Sequence, residues 1–239
     1  MSFEQDRLKD YPNSMPQNEF LSHLYKVLVE KGFGQRNTIV GVSVCREQPS
    51  HLLIEEIRNF WPTVFDFSSL AGMQFVGKSG FLKMRKSVNY EEGSSCFLYM
   101  AFPHIGWTSD GQLGRIDPPG LGKPYPACGG LVAFQEELAS GSSPWEPDPD
   151  NLEQGLLNQR MFQNMKYGGG SNLIALTNLA YTTILKDIER IAALSLTTQG
   201  NPYAIVTGIQ LNGPEKQNFV WPGEMYELRD NKKSMLFLT

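Results

Sequence analysis

The sequence predicts an α/β fold with a mostly parallel central sheet flanked by helices, and three observations predict it. Residues 37–45 (NTIVGVSVC) and 96–102 (CFLYMAF) are nearly continuous apolar runs of strand length, as expected for strands buried on both faces. A third strand-like segment, 63–67, lies between them, and helical apolar spacing fills the gaps. Strand, helix, strand, helix, strand is the order of a parallel α/β sheet. In such sheets ligands and reactive groups gather at the carboxyl ends of the strands.

Taken in order, residues 1–16 are polar, contain Pro12 and Pro16, and are expected as a loosely attached arm before a single domain over 17–239. Residues 18–30 set Phe20, Leu21, Leu24, Tyr25 and Leu28 at helical spacing, with Gly32 and Gly34 as the stop. After the strand at 37–45, residues 50–61 read as a helix with Leu53, Ile54, Ile57 and Trp61 on one face. The stretch 70–81 (LAGMQFVGKSGF) places three glycines among large apolar side chains, and Ser79 is positioned to cap a helix through Lys86. Its glycine spacing is not that of a phosphate loop.

Beyond the strand at 96–102, Asp110-Gly111 marks a turn and 112–116 a short hairpin strand. Residues 121–126 read as loop and 128–138 as a helix opening with Cys-Gly-Gly. A long loop at 140–151 precedes helices at 152–167 and 173–196, separated by the glycines at 168–170. Residues 203–211 (YAIVTGIQL) form another buried strand, and 220–228 and 234–238 are expected as edge strands around Asp230-Asn231.

Composition narrows the function. A net charge of −4 lacks the basic face that nucleic-acid binding needs. No apolar run reaches the roughly 20 residues that span a bilayer. The N-terminal segment has no basic region followed by an apolar one, so no signal peptide is expected. Three cysteines cannot complete a disulfide framework and point to a reduced, cytoplasmic compartment.

In that setting sparse cysteines serve as ligands, nucleophiles or core filler. Cys45 closes the first strand, His104 follows the third, and Cys128 precedes a helix, so the first two fall on the carboxyl edge of the sheet. A helix N-terminus favours a thiolate at Cys128. Two thiolates and one imidazole suit a tetrahedral zinc with one open position, whereas plain core packing is the alternative for each residue taken singly. Cys96, within a strand, takes the packing role. His51 and His23 fall on helices; His23 is not expected as a ligand, and a supporting role for His51 stays open.

The segments NTIVGVSVCRE, LAGMQFVGKSGF, FPHIGWTSDGQLGR and ACGGLVAF, with VTGIQLNGPEKQNFVWPGEMYEL late in the chain, resemble the limiting-CO2-inducible protein B/C family, relatives of β-carbonic anhydrases. The resemblance implies a β-carbonic-anhydrase-like fold and a zinc ion on Cys45, His104 and Cys128. It also implies a homodimer, and hydration of CO2 to bicarbonate by zinc-bound hydroxide. In β-carbonic anhydrases a C-x-D-x-R motif supplies an Asp–Arg pair. Here Glu47 stands at the Asp position and Pro49 at the Arg position. Glu47 is therefore the candidate to orient solvent, with Arg85, Arg46 or Arg115 as partner and Arg85 ranked first. Its longer arm also allows it to close the zinc site, leaving a silent protein with a structural or regulatory role. A different zinc hydrolase on the same scaffold is the third reading. Phe75, Phe81 and Phe102 are the aromatic candidates for lining a CO2 pocket.

Overall fold

The computed structural model describes residues 3–86, 95–117, 120, 122–141, 149–165, 170–196 and 201–238. In chain order the elements are α1 (Phe3–Asp10), β1 (Met15–Pro16), α2 (Gln17–Glu30), β2 (Thr38–Val44), α3 (Gln48–Phe60), β3 (Val64–Asp66), a 3-10 turn at Leu70–Gly72, and α4 (Gly77–Lys86). Then follow β4 (Cys96–Phe102), β5 (His104–Gly106), β6 (Arg115–Ile116), β7 (Tyr125–Pro126), α5 (Gly129–Ser140), α6 (Leu152–Asn164) and α7 (Leu173–Leu196). β8 (Tyr203–Asn212), β9 (Asn218–Arg229) and β10 (Lys232–Met235) complete the chain.

Eight of these strands form one sheet ordered β1-β9-β8-β4-β2-β3, with β10 also on β9 and β5 on β8. The pairs among β2, β3, β4, β5 and β8 are parallel, and those made by β9 are antiparallel. β2, β4 and β8 are buried at every residue, which is why their sequences are continuously apolar rather than alternating. Alternate residues serve opposite faces. Ile39, Phe97, Tyr99, Tyr203 and Ile205 pack with Phe81, Leu131, Phe134, Leu157, Met161 and Ile184 from α4 to α7. Val40, Val42, Leu98, Met100 and Phe102 pack with Phe20, Leu24, Leu53, Ile57 and Trp61 from α2 and α3. Gly41 has no room for a side chain, since a Cβ there would sit 2.7 Å from Phe67 and 2.9 Å from Met84.

The chain leaves β2 for β3 on one side and then returns to β4 on the other. The carboxyl ends of β2 and β4 therefore flank a topological switch point, where α/β sheets bind ligands.

The largest difference from expectation lies at the N-terminus. Residues 3–16 are not a loose arm: Phe3 of α1 and Tyr11 just after it pack with Trp107, Ile209 and Leu211, and β1 pairs with β9. The Arg7 guanidinium stacks 4.1 Å from the centre of the Phe219 ring. β9 is not an edge strand, because β1 and β10 cover the side that β8 leaves open. β10 spans 232–235 rather than 234–238, and the hairpin strand expected over 112–116 is reduced to β6, paired with β7. β5 has no counterpart among the expected strands. The glycines at 168–169 and most of the loop at 140–151 lie outside the described residues. No described helix is long and apolar enough to cross a membrane.

Candidate metal centre

Cys45 is the residue after β2, and the register Val44↔Phe102 brings it level with the chain leaving β4 towards His104. His104 opens β5, which pairs with the far end of β8 through His104↔Gln210. Cys128 caps the N-terminus of α5, following a cis Ala127–Cys128 peptide bond. Three distant segments thus deliver their side chains to the switch point.

The ligand atoms of Cys45, Glu47, His104 and Cys128 all lie within 4.8 Å of one another. The two sulfurs are 3.6 Å apart. A tetrahedron with Zn–S bonds of about 2.3 Å has an edge of roughly 3.8 Å, so the sulfur pair fits a shared ion. Cys45 and His104 are fully buried, and Cys128 nearly so.

Glu47 enters from the turn before α3. Its Oε1 accepts a hydrogen bond from the Gly129 amide at 2.5 Å, and its Oε2 lies 3.3 Å from His104 Nε2. A Cβ on Gly129 would stand 3.1 Å from that Oε1, so glycine opens the approach to the helix terminus. His104 Nε2 and Glu47 Oε2 are buried without a partner in hydrogen-bonding geometry, an arrangement unexpected of finished core. On the other side of the ring, His104 Nδ1 meets Asn212 Oδ1 at 2.8 Å. Orphaned polar atoms converging with two sulfurs are the donor set that a thiophilic cation such as zinc takes.

The hydrogen bond from the Cys128 thiol, aided by the adjacent imidazole, holds Cys45 well below the ordinary thiol range against the cost of burial. Donating that bond, with burial added, pushes Cys128 well above it. Burial presses His104 downward, but the charges of Cys45 and the Glu47 carboxylate outweigh it and raise the imidazole to about 10.

The remaining candidates lie elsewhere. Arg85, ranked first as partner of Glu47, is buried between helices and donates from Nη1 to the Ser195 carbonyl at 2.6 Å. Arg46 is exposed and pairs with Glu153 at 2.9 Å, and Arg115 donates to the Pro124 carbonyl. Among the described residues no arginine pairs with Glu47. Phe81 is core, stacked on Tyr99 at 4.4 Å between ring centres and on Phe67 at 5.6 Å. Phe102 belongs to the opposite face of the sheet, edge-on to Phe20, while half-buried Phe75 lies on the Phe81 side. Among the described residues, Phe81 and Phe102 are therefore held on opposite faces of the sheet rather than around one pocket. Cys96 is buried beside the Gly32 carbonyl, and His51 Nε2 lies 3.2 Å from the Arg46 carbonyl.

Asn212 was not among the sequence candidates, and nothing local marks it, since its role comes from the register of β8. A cavity of about 290 Å³ is walled by Gln48, next to Glu47 in sequence, and by Pro49, Asp117, Tyr125, Asn212 and Lys216 among others. It touches both the segment that carries Glu47 and the amide that holds His104.

Comparison with known proteins follows this geometry. The family model for limiting CO2-inducible proteins B/C, beta carbonic anhydrases, matches residues 14–229. The crystal structure of PtLCIB4, described as a homolog of the limiting CO2-inducible protein LCIB, superposes with a TM-score of 0.85 at 20% identity, covering 98% of this chain and 99% of that one. The crystal structure of LCIB itself gives 0.79 at 24% identity, covering 99% of this chain and all of the other. At these identities the superpositions show a shared fold. No curated protein matches the sequence significantly.

Proposed function

Since the chain belongs to the limiting-CO2-inducible protein B/C family of β-carbonic anhydrases, we propose that it is a zinc carbonic anhydrase interconverting CO2 and bicarbonate. The observation that carries this reading is the convergence of Cys45, His104, Cys128 and Glu47 with two buried polar atoms left unpartnered. Cys45, His104 and Cys128 would hold the ion. Bound there, zinc supplies Lewis acidity that brings the ionisation of water towards neutral pH. The protein supplies position. The Gly129 amide fixes one Glu47 oxygen, so the other is presented to the site as an acceptor with a set direction. In hydration, water adds its oxygen to the CO2 carbon and one proton leaves; Glu47 Oε2 is the acceptor placed to orient that water and take the proton. The family also suggests a homodimer, testable by light scattering.

One observation favours a second reading. A Glu47 carboxylate oxygen falls in the same 4.8 Å cluster as the three ligand atoms, so the carboxylate can serve as a fourth ligand and close the site. Stopped-flow CO2 hydration on protein of measured zinc content separates the two. Turnover proportional to zinc and lost on chelation supports the enzyme. One zinc per chain without turnover supports a silent member with a structural or regulatory role in inorganic-carbon handling. An ester substrate turned over faster than CO2 would instead indicate a different hydrolase.

A further inference from the structure

We infer that Asn212 is the positioning residue of the centre: it holds the His104 ring with its hydrogen on Nδ1, leaving the Nε2 lone pair directed at Cys45, Cys128 and Glu47. The inference rests on the proposed zinc site but concerns a residue outside the ligand set.

Asn212 ends β8 and is 2% exposed. Its backbone is fixed on both sides, with the Trp107 amide donating to its carbonyl at 2.9 Å and Asn218 opposite it across the β8–β9 ladder. Its side chain bridges two polar groups. Nδ2 donates to Asn218 Oδ1 at 2.9 Å, and Oδ1 lies 2.8 Å from His104 Nδ1. An amide oxygen only accepts, so the ring nitrogen facing it carries hydrogen. A neutral imidazole has one N–H, and its lone pair then sits on Nε2. Flipping both amides would reverse the chain and put the hydrogen on Nε2. There Glu47 Oε2, though 3.3 Å away, lies outside hydrogen-bonding geometry, so the first arrangement is the better satisfied one. Such partners of metal-ligating histidines are worth about 10–100-fold in metal affinity.

The test uses full-length parent, Asn212→Leu and Asn212→Asp. Zinc affinity is measured by chelator competition, the His104 tautomer by long-range proton–nitrogen-15 NMR with and without zinc, and the zinc-free melting temperature as a check on folding. Leu is similar in size and accepts nothing. It should weaken zinc binding by about 10–100-fold and move the Nδ1–H resonance upfield, as that hydrogen loses its acceptor. Asp keeps an acceptor, and half-exposed Asn218 can turn its amide to donate to it. It should therefore bind zinc within about threefold of parent, or more tightly.

Parent-like zinc affinity in the Leu variant overturns the inference. So does an Nε2–H tautomer in the zinc-loaded parent, or equal weakening in both variants. If the Leu variant does not fold, the Asp variant and the parent tautomer decide. A folded parent that binds no zinc overturns the proposed function and the metal half of this inference. An upfield shift of the Nδ1–H resonance in the zinc-free Leu variant relative to zinc-free parent would still establish the hold of Asn212 on the ring.

Discussion

Glu47 Oε1 and the Gly129 amide are joined by a 2.5 Å hydrogen bond spanning 82 positions of sequence. It ties the carboxylate to the residue after Cys128, so the acid and one sulfur move together at the helix terminus. Glu47→Gln retains an acceptor for that amide but loses the basic oxygen. Turnover per zinc should fall about 10²–10⁴-fold in this variant with zinc content unchanged. Stopped-flow rates normalised to zinc check this, and parent-level turnover would make Glu47 a bystander.

Cys45→Ala, His104→Ala and Cys128→Ala should each lower zinc from about one per chain to less than about a tenth, because each removes a donor from a three-ligand set. Metal analysis after gel filtration reads the result. A variant that keeps full zinc removes its residue from the centre.

Arg85→Ala should leave turnover per zinc within about twofold of parent. It should lower stability by about 1.5–3 kcal/mol, since a buried charged donor to the Ser195 carbonyl is lost. Urea unfolding and the CO2 assay together test this. A large drop in turnover in a stable protein would return Arg85 to the site.

Phe81→Ala should cost about 3–5 kcal/mol by opening a cavity between Phe67 and Tyr99. Phe3→Ala should cost about 3 kcal/mol, since that ring packs on Trp107 and Phe219. Chemical denaturation measures both. A negligible effect at Phe3 would mean that the N-terminal helix contributes little to the fold.

Much of this was legible in the chain, for physical reasons. A strand covered on both faces needs apolar residues throughout, and β2, β4 and β8 show that pattern; α7 occupies the expected 173–196. Cys45 and His104 lie at strand ends, so the carboxyl-edge rule alone placed them near each other. α1 escaped notice because eight mostly polar residues carry too little apolar periodicity; only partners far along the chain make Phe3 and Tyr11 core. Phe102 was misplaced although strand parity separates it from Tyr99, two faces that an apolar list does not distinguish. Arg85 was chosen by family role, and its true neighbour lies on α7, 110 positions away. Asn212 depends on how far β8 extends past β4 to pair with β5, which no local pattern reports.

The wide sequence separations at the centre also bear on how the molecule matures. Bringing Cys45 to Cys128 closes a loop of 83 positions, and bringing His104 to Asn212 closes one of 108. Loop closure of this kind costs entropy before any contact repays it, and parallel pairing makes folding slow. Few of these groups are neighbours in the nascent chain, so an ion has little to bind until the sheet is assembled. For the proposed zinc site, the expected order of biogenesis is polypeptide first and metal second, with the apo protein as an obligatory folded precursor.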